Sequence, residues 1–461
     1  MTLKLLGQIL LPLLTATAAA AVPTFEVRNL PEPRDSHGSA IIGRTLYIVG
    51  GAITTAWAPT QSVLAAPILR DLTLGQWREV TPLPERTLYI PAGVVAGPRT
   101  LYVIGGQNRL DERTGDHGEK RIRNTAYYAT VTPNGDLGPW TETSPWTTNA
   151  GLSCAAAIGR AALYVSGGGD PNDTTSREVH YAPLAADGTP GPWQPTAPLP
   201  VGLWFHQMIV QRETAFVLLG RTNSSAEGLN RKIFRARIQQ DGALGPWREG
   251  SGAMPNPVFQ SAPAATGSYA FVAGGTDRNW AIVDNISYGS LTSTGIINWR
   301  TIPIPEFRQF KMAAAASGEL GVLYISGGRP KPEHTIMSDR ILAVQLKRDA
   351  DVQRNELPPG LEAAYTYEHA LHGIRRTGAP NLLLATISDS NPQSITWAAK
   401  TCQRLNPPGQ RGVPLAILNI TKDPQTAKDL GLVQAGILAY ITPEETIQSR
   451  TTTPLSDDLP E

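Results

Sequence analysis

A short apolar run that ends in glycine occurs six times along the first three quarters of the chain. The first copy, Arg44–Gly51, reads RTLYIVGG, and the copies follow one another at intervals of about 53 to 62 residues. The later copies end at Gly106, Gly168, Gly220, Gly275 and Gly328. Apolar runs of this composition, closed by glycine, are typical of short strands. A period of about 50 residues predicts a propeller.

Each interval also contains positions for further strands. A variable loop after the glycine pair leads to a second strand, as in 124–131 and 231–238. A turn then leads to a tryptophan, and a proline-rich corner precedes the next glycine strand. The tryptophans are Trp77, Trp140, Trp193, Trp247 and Trp299. We expect four strands per unit, with each indole filling the space between neighbouring sheets.

The sixth unit, which runs through 341–346, has no tryptophan strand of its own. We expect Thr24–Val27 to supply the missing strand, with Phe25 in place of the tryptophan. Pairing the N-terminal strand into the last sheet would close the ring and protect sheet edges that otherwise aggregate.

The combination of LYVxGG, a downstream tryptophan and an LPxxR corner resembles the kelch-repeat β-propellers. The resemblance covers about Val22 to Asp349, roughly 70% of the chain. It implies an all-β six-bladed kelch β-propeller over 22–349. It leaves the function open, because kelch propellers include enzymes, ligand binders and protein-interaction modules. In the weakest copy, Leu218–Arg221, we interpret Arg221 as replacing the second glycine and as marking the functional side of the ring.

A second unit of different composition follows the repeats. A polar stretch with terminal prolines begins near Arg348, and we place a linker at 350–360. Helical spacing is found at 361–376, 392–405 and 424–430, and strand patterns at 381–387, 414–420, 437–441 and 445–451. This alternation predicts an α/β domain over 361–455. Residues 456–461 form a polar tail.

The order of these elements resembles the thioredoxin fold. In that family a Cys-x-x-Cys pair opens the helix after the first core strand, where the helix N-terminus activates one thiolate. Here residues 391–394 read NPQS, and Cys402 lies about two turns inside the helix. Gly436 stands where the family has its cis-proline. The resemblance therefore implies a C-terminal α/β thioredoxin-like domain without redox activity, in a docking or stabilising role.

The first 21 residues have the composition of a secretory signal peptide. Lys4 precedes a leucine-rich segment from Leu5 to Leu14, and alanines follow up to a cleavage position near Ala20 or Ala21. We expect an exported protein, periplasmic or extracellular, without a membrane span after cleavage. The two cysteines, Cys154 and Cys402, lie in different halves of the chain, so we expect no structural disulfide.

Charge excludes one class of partner. The net charge is +1 and 17% of the residues are charged. Such a chain has no basic field to hold a nucleic acid.

Candidate ligand-binding residues lie just after each proline-rich corner, where the innermost strand of each blade begins near one mouth of the channel. They are Arg34, His37, Arg86, Tyr89, Asn149, Trp204, His206, Gln260, Arg308 and Lys311. Arginine forks could hold a carboxylate, and aromatic rings could stack on a sugar. The alternative is that these arginines and histidines satisfy buried groups of the fold. Asp111, Glu112 and Asp116 belong to a long loop that we expect to be solvated.

Metal and cofactor chemistry has little support in the sequence. The histidines lack ligand spacing, so neither a metal nor another cofactor is expected. Copper-radical oxidases with a propeller need a cysteine cross-linked to a tyrosine, and their motifs are missing. Serine-hydrolase and phosphate-loop signatures are absent.

Two functions remain open. The first is a non-catalytic binding module for a protein or a carbohydrate. The alternative is a carbohydrate-active enzyme of the sialic-acid mutarotase type, which the chain resembles in blade count, compartment and repeat style. Sugar ring opening needs a general acid and a general base, and the arginine and histidine ring could supply them. The ligand, the functional mouth and the oligomeric state are not determined by the sequence.

Overall fold

The computed structural model describes most of residues 24–346 and parts of the remainder. The gaps in the first range are 88–89, 91, 111–116, 148–150, 171, 173, 224–227, 332 and 334. Beyond 346 the described residues are 365–366, 382–388, 390–405, 415–421, 428, 430, 432, 434–441 and 447–452. The predicted signal peptide, linker and polar tail lie outside these residues.

The described residues between 24 and 346 form six four-stranded antiparallel sheets and one two-stranded hairpin. Sheet I contains β2 (Gly38–Ile42), β3 (Thr45–Val49), β4 (Val63–Pro67) and β5 (Arg78–Val80). Sheet II contains β6 (Val94–Ala96), β7 (Thr100–Ile104), β10 (Ala126–Thr130) and β11 (Thr141–Glu142). Sheet III contains β12 (Ala155–Ile158), β13 (Ala162–Ser166), β14 (Val179–Pro183) and β15 (Gln194–Pro195).

The second half of the ring is built in the same way. Sheet IV contains β16 (Trp204–Gln211), β17 (Thr214–Arg221), β18 (Lys232–Arg237) and β19 (Arg248–Ala253). Sheet V contains β20 (Ala262–Ala265), β21 (Tyr269–Ala273), β22 (Asn285–Leu291) and β23 (Ile296–Pro303). Sheet VI contains β24 (Ala313–Ser317), β25 (Val322–Ser326), β26 (Ile341–Gln345) and β1 (Thr24–Glu26). A hairpin, β8 (Gln107–Leu110) and β9 (His117–Ile122), follows the glycine pair of sheet II, and a 3-10 turn covers Pro305–Phe307.

The six sheets are arranged as a β-propeller. Their first strands contact one another in a closed cycle, β2 to β6, β12, β16, β20, β24 and back to β2. β1 pairs antiparallel with β26, with Phe25 opposite Ala343. Phe25 also packs against the apolar cluster between sheets VI and I. The prediction that the N-terminal strand completes the last sheet is therefore confirmed.

Hydrophobic burial takes place between the sheets. A cluster of buried apolar residues lies at each of the six junctions between neighbouring sheets. Between sheets I and II, for example, Tyr47 and Val49 pack with Leu101 and Val103. Because each sheet buries its faces only against its neighbours, the ring as a whole carries the stability.

Tyrosines and tryptophans of the repeat connect neighbouring sheets by hydrogen bonds. The indole Nε1 of Trp140 donates to the carbonyl oxygen of Thr81 over 3.0 Å. The hydroxyl of Tyr47 donates to the carbonyl oxygen of Gly135 over 2.9 Å. Trp77, Trp193 and Trp247 donate to the preceding sheet or corner in the same way. The predicted placement of the indoles between sheets is confirmed.

The sequence prediction for the glycine pair of sheet IV is wrong by one position. Leu219 and Gly220 have φ angles of 65° and 85°, close to the 59° and 93° of Gly50 and Gly51. Arg221 is the residue after the pair and lies opposite Trp204. Leu219 therefore replaces the first glycine, and Arg221 does not replace the second. Pattern matching missed this because it assumed glycine wherever the backbone is left-handed.

The C-terminal unit is a mixed five-stranded sheet with one described helix. The strands are β27 (Tyr365–Thr366), β28 (Leu382–Ile387), β29 (Leu415–Asn419), β30 (Ile437–Ile441) and β31 (Ile447–Thr452). Their order is β27-β29-β28-β30-β31, with the first three parallel and the last two antiparallel. Helix α1 (Pro392–Leu405) covers the range predicted for it. It packs through Trp397 and Ala398 onto the strands.

Of the two other helices predicted for this unit, the first is wrong where the structure describes it, and the second lies mostly outside the described residues. Helical structure was expected over 361–376, but Tyr365 and Thr366 form a strand that pairs in parallel with Ala416 and Ile417. Tyrosine and threonine favour the pleated backbone of a strand, and this edge pairing outweighs the helical spacing. The rest of that range and most of 424–430 lie outside the described residues.

Candidate functional site

Five residues at the starts of the innermost strands have a left-handed backbone although none is glycine. They are Ser36, Ser153, Phe205, Gln260 and Lys311, with φ angles between 49° and 58°. We call them the mouth ring. Such a conformation costs on the order of 1–3 kcal/mol per residue and persists only where the surrounding structure enforces it.

Hydrogen bonds between sheets enforce the mouth ring. The backbone N–H of Lys311 donates to the carbonyl oxygen of Gln260 over 2.7 Å, and that of Ser36 to the carbonyl oxygen of Lys311 over 2.9 Å. The N–H of Phe205 donates to the carbonyl oxygen of Ser153 over 3.1 Å. Each bond crosses from one sheet to the next. The ring therefore fixes the end of the propeller at which the first strands begin, which we call the mouth.

A small cavity lies at the mouth, between the starts of the first strands. Residues of sheets II to V line a cavity of about 10 Å³, among them Ala92, Ser153, Phe205 and Gln260. This volume is about that of one water-sized probe. The structure thus brings equivalent positions of several sheets together around this cavity. The outer rim of the mouth lies around them.

The loops that follow the glycine strands form the rim of the mouth. Each first strand pairs antiparallel with its glycine strand, so the start of the one lies beside the end of the other, as Gly38 lies opposite Val49. Trp57 and Trp280 lie in two of these loops and share a left-handed backbone, with φ angles of 67° and 62°. We define the Trp57 cluster as Trp57, Asp35, Lys311 and Arg329. We define the Trp280 cluster as Trp280, Phe205, Phe259 and Arg221.

In the Trp57 cluster two cationic side chains lie over one indole. Lys311 Nζ is 3.4 Å from the centre of the Trp57 ring, and the Arg329 guanidinium carbon is 4.1 Å from it. Arg329 Nε also donates to Asp35 Oδ2 over 2.6 Å, and both side chains of this ion pair are fully buried. The cluster joins sheet VI to sheet I.

In the Trp280 cluster an arginine lies beside a row of aromatic rings. The Arg221 guanidinium carbon is 4.3 Å from the Phe259 ring and 5.5 Å from the Trp280 ring. Phe259 meets Trp280 edge-on at 4.8 Å and Phe205 at 6.3 Å between ring centres. Arg221 follows Leu219 and Gly220 as Arg329 follows Gly327 and Gly328, so the two arginines occupy equivalent positions. The same construction therefore occurs at two junctions of the ring.

Electrostatics single out Lys311 within the Trp57 cluster. Burial lowers the pKa of Lys311 to about 7, the Asp35 carboxylate opposes this shift, and the Arg329 cation adds to it. Burial raises the pKa of Asp35, against the opposing effects of Arg329 and Lys311. Lys311 can therefore exchange a proton near neutral pH.

Three of the predicted site residues are taken up by the fold itself. Arg34 is fully buried and donates to the carbonyl oxygen of Gly50 over 3.0 Å and to Glu32 Oε1 over 2.7 Å. The Nε2 atoms of His37 and His206 lie 2.8 Å from the hydroxyls of Ser326 and Ser166 on the preceding sheets. These contacts favour the alternative that the residues satisfy buried groups.

The other predicted residues have mixed positions. Gln260 and Lys311 belong to the mouth ring, and Trp204 is buried with its ring centre 5.1 Å from that of Phe205. Arg308 is exposed, donates through Nε to the carbonyl oxygen of Ile282 over 3.0 Å, and lines a polar cleft of about 540 Å³. Arg86 is partly buried. Tyr89, Asn149 and the acidic residues Asp111, Glu112 and Asp116 lie outside the described residues.

Sequence reasoning missed Trp57, Trp280, Asp35 and Arg329. A usable pattern was present, because each tryptophan follows the second glycine of its pair within the same loop. Cys154 is buried, and burial raises the pKa of its thiol to about 12. In the described part of the chain, no three histidine, cysteine or acidic side chains lie together as metal ligands would. Across the same part, no helix is long and apolar enough to cross a membrane.

Comparisons with known proteins agree with a kelch-type β-propeller. No family model matches the chain. The Kelch-like protein terF of Aspergillus terreus is 22% identical over 306 residues, which cover 62% of this chain and 60% of that protein. The Kelch repeat and BTB domain-containing protein 12 of Danio rerio is 29% identical over 138 residues, which cover 30% of this chain and 20% of that protein. The chain thus spans less than two thirds of either relative.

A solved structure supports the same fold. The structure of YjhT matches with a TM-score of 0.50 and 13% sequence identity. The match covers 68% of this chain and 96% of that one. At this level of identity the likeness concerns the fold alone.

We predict that the buried histidines make the protein less stable in acid. Burial lowers the pKa of His37 and His206 to about 3, from an ordinary value of 6.5. Between these values the unfolded chain binds more protons, so the stability present above pH 6.5 is lost as the pH falls. Each histidine contributes a slope of about 1.4 kcal/mol per pH unit.

Urea unfolding at pH 4.5, 5.5 and 6.5 measures this slope. His206→Gln should reduce it by about 1.4 kcal/mol per pH unit, and adding His37→Gln should reduce it by about the same amount again. An unchanged slope in both variants would show that the two histidines do not titrate in this way.

Proposed function

We propose that this chain is an interaction module, a six-bladed kelch-type propeller that binds a segment of a partner protein on the rim of its mouth. The observation that carries the proposal is Trp280, whose side chain is 49% exposed on a bed of Phe259 and Arg221. The kelch relatives and the six sheets in a closed cycle support the architecture.

The composition of the rim is suited to protein binding. Tryptophan and arginine are the residue types that dominate the energy of protein interfaces, above all where neighbouring groups hold them rigidly. The Trp280 cluster offers one exposed indole, which the buried Phe259 ring and the buried Arg221 side chain hold in place. An aromatic or aliphatic side chain of the partner would gain burial against this indole.

For the C-terminal unit we propose a thioredoxin-like fold without redox chemistry. Its strand order and its helix α1 support this fold. At the start of α1, where the redox cysteines would stand, Ser394 Oγ donates to the carbonyl oxygen of Asn391 over 2.6 Å and accepts the N–H of Ser388 over 3.0 Å. Ser394 thus stabilises the local backbone, which agrees with a docking or stabilising role of the C-terminal unit. We also propose that residues 1–21 direct export, which the mass of the purified mature chain would check.

The binding proposal predicts that loss of the Trp280 indole strongly weakens the binding of a partner peptide. Peptides selected from a displayed library on the intact protein should bind Trp280→Ala at least about tenfold more weakly, because truncation of such an aromatic anchor costs about 2 kcal/mol. Fluorescence anisotropy with a labelled peptide measures the affinity.

Leu69→Ala is the matched control for this experiment. Leu69 is 45% exposed, but it follows β4 at the end of the propeller opposite to the mouth. Its truncation should leave the peptide affinity unchanged. Selected peptides that bind Trp280→Ala as tightly as the unaltered protein would contradict the proposed surface.

A carbohydrate-active enzyme of the mutarotase type is the second candidate. Lys311 supports it, because an amine with a pKa of about 7 can serve as a general acid or base near neutrality. We expect such an enzyme to speed anomer exchange of an acidic sugar, followed by NMR, and Lys311→Met to abolish the effect. Exchange at the uncatalysed rate with the unaltered protein would exclude this candidate.

A further inference from the structure

Four asparagines of this chain are followed two residues later by a serine or a threonine, with no proline between. They are Asn172, Asn223, Asn285 and Asn419. Asn-x-Ser/Thr is the acceptor motif of N-linked glycosylation, which modifies asparagines on surface loops of secreted proteins. The motif also occurs by chance, so the surroundings of each asparagine decide which of them can carry a glycan.

Asn172 lies in the rim loop that follows the glycine pair of sheet III. Both Asn172 and Thr174, which supplies the hydroxyl of the motif, are exposed. The N–H of Asp170 donates to the carbonyl oxygen of Thr174 over 3.0 Å. The Asp170 carboxylate accepts the N–H groups of Asn172 and Thr174, each over 2.8 Å. None of these bonds uses the Asn172 side chain, so a glycan on its amide would extend into solvent and leave the turn intact.

The other acceptors differ from Asn172. Asn285 begins β22 and is partly buried, and its motif partner Ser287 is 4% exposed. Asn419 ends β29, where its Oδ1 accepts the N–H of Thr421 over 3.1 Å. Asn223 is exposed, but the two residues that complete its motif lie outside the described residues. The asparagine and the hydroxyl residue of the motif are thus both shown exposed in the loop of sheet III.

The same turn occurs on sheet V. There the N–H of Asp277 donates to the carbonyl oxygen of Ala281 over 3.0 Å. The Asp277 carboxylate accepts the N–H groups of Asn279 and Ala281 over 2.8 and 2.9 Å. This turn presents Trp280, and Asn172 occupies on sheet III the position that Asn279 has on sheet V. One type of rim turn therefore presents different side chains on different sheets.

We propose that Asn172 carries an N-linked glycan on the rim loop of sheet III. The donor is an oligosaccharide whose anomeric carbon is bound to a lipid diphosphate. The amide nitrogen of Asn172 forms a bond to that carbon and releases one proton. The bond from the carbon to the diphosphate oxygen breaks, and the lipid diphosphate leaves with the electron pair. The inference rests on the proposed export by residues 1–21, and it is independent of the binding surface around Trp280.

Site-resolved mass spectrometry tests the proposal. The full chain with its own residues 1–21 is secreted from cultured mammalian cells and treated with peptide N-glycosidase in heavy-oxygen water, which converts a glycan-bearing asparagine to labelled aspartate. The peptide that contains Asn172 should carry the label, and the peptide that contains Asn285 should not. Thr174→Ala should abolish the label at Asn172, whereas the matched control Thr174→Ser, which keeps the hydroxyl, should retain it.

A second form of the chain separates the glycan site from the export proposal. In this form the leader of a known secreted protein replaces residues 1–21. Label at Asn172 in this form alone would support the glycan site and contradict export by residues 1–21. Secretion of either form with Asn172 unlabelled would overturn the proposed site, as would a label that persists in Thr174→Ala.

Discussion

The structure depends on the closure of a ring whose members cannot bury their apolar faces alone. The first strands meet in a cycle, and backbone hydrogen bonds such as Ser36 N–H to the Lys311 carbonyl oxygen cross the junctions at the mouth. These bonds hold non-glycine residues in a left-handed conformation that an isolated sheet would relax. Closure of the ring therefore accounts both for the apolar burial between the sheets and for the strained backbone of the mouth ring.

The same closure brings the starts of the first strands together around a cavity of about 10 Å³ and places the loops after the glycine strands on the rim of the mouth. There, the residues after two glycine pairs, Arg221 and Arg329, each lie beside a tryptophan of the following sheet. In one copy the indole of Trp280 is exposed, and in the other the indole of Trp57 lies over the buried amine of Lys311.

Much of the fold could be predicted from the sequence because its signals are local and repeated. Glycine-terminated strands and the tryptophans recur with a period, and the strand around Phe25 fills the one place where a tryptophan strand is missing; the structure confirms their roles. The mouth ring could not be predicted, since serine, phenylalanine, glutamine and lysine have no common preference for a left-handed backbone. For the same reason the sequence did not predict that Leu219 has the left-handed backbone of the glycine it replaces. The site was predicted only in part. His37 and His206 are buried by contacts between strands that are distant in the sequence, and a local sequence pattern does not show such contacts.

Hydrogen exchange of the mouth-ring amides tests the account most directly. The N–H groups of Lys311, Ser36 and Phe205 should exchange only through global unfolding, with protection equal to the most protected strands. The N–H of Trp57, which bonds to the Thr54 carbonyl oxygen within an exposed turn, should exchange far faster. Exchange of the three ring amides as fast as that of Trp57 would contradict the claim that closure at the mouth holds the propeller together.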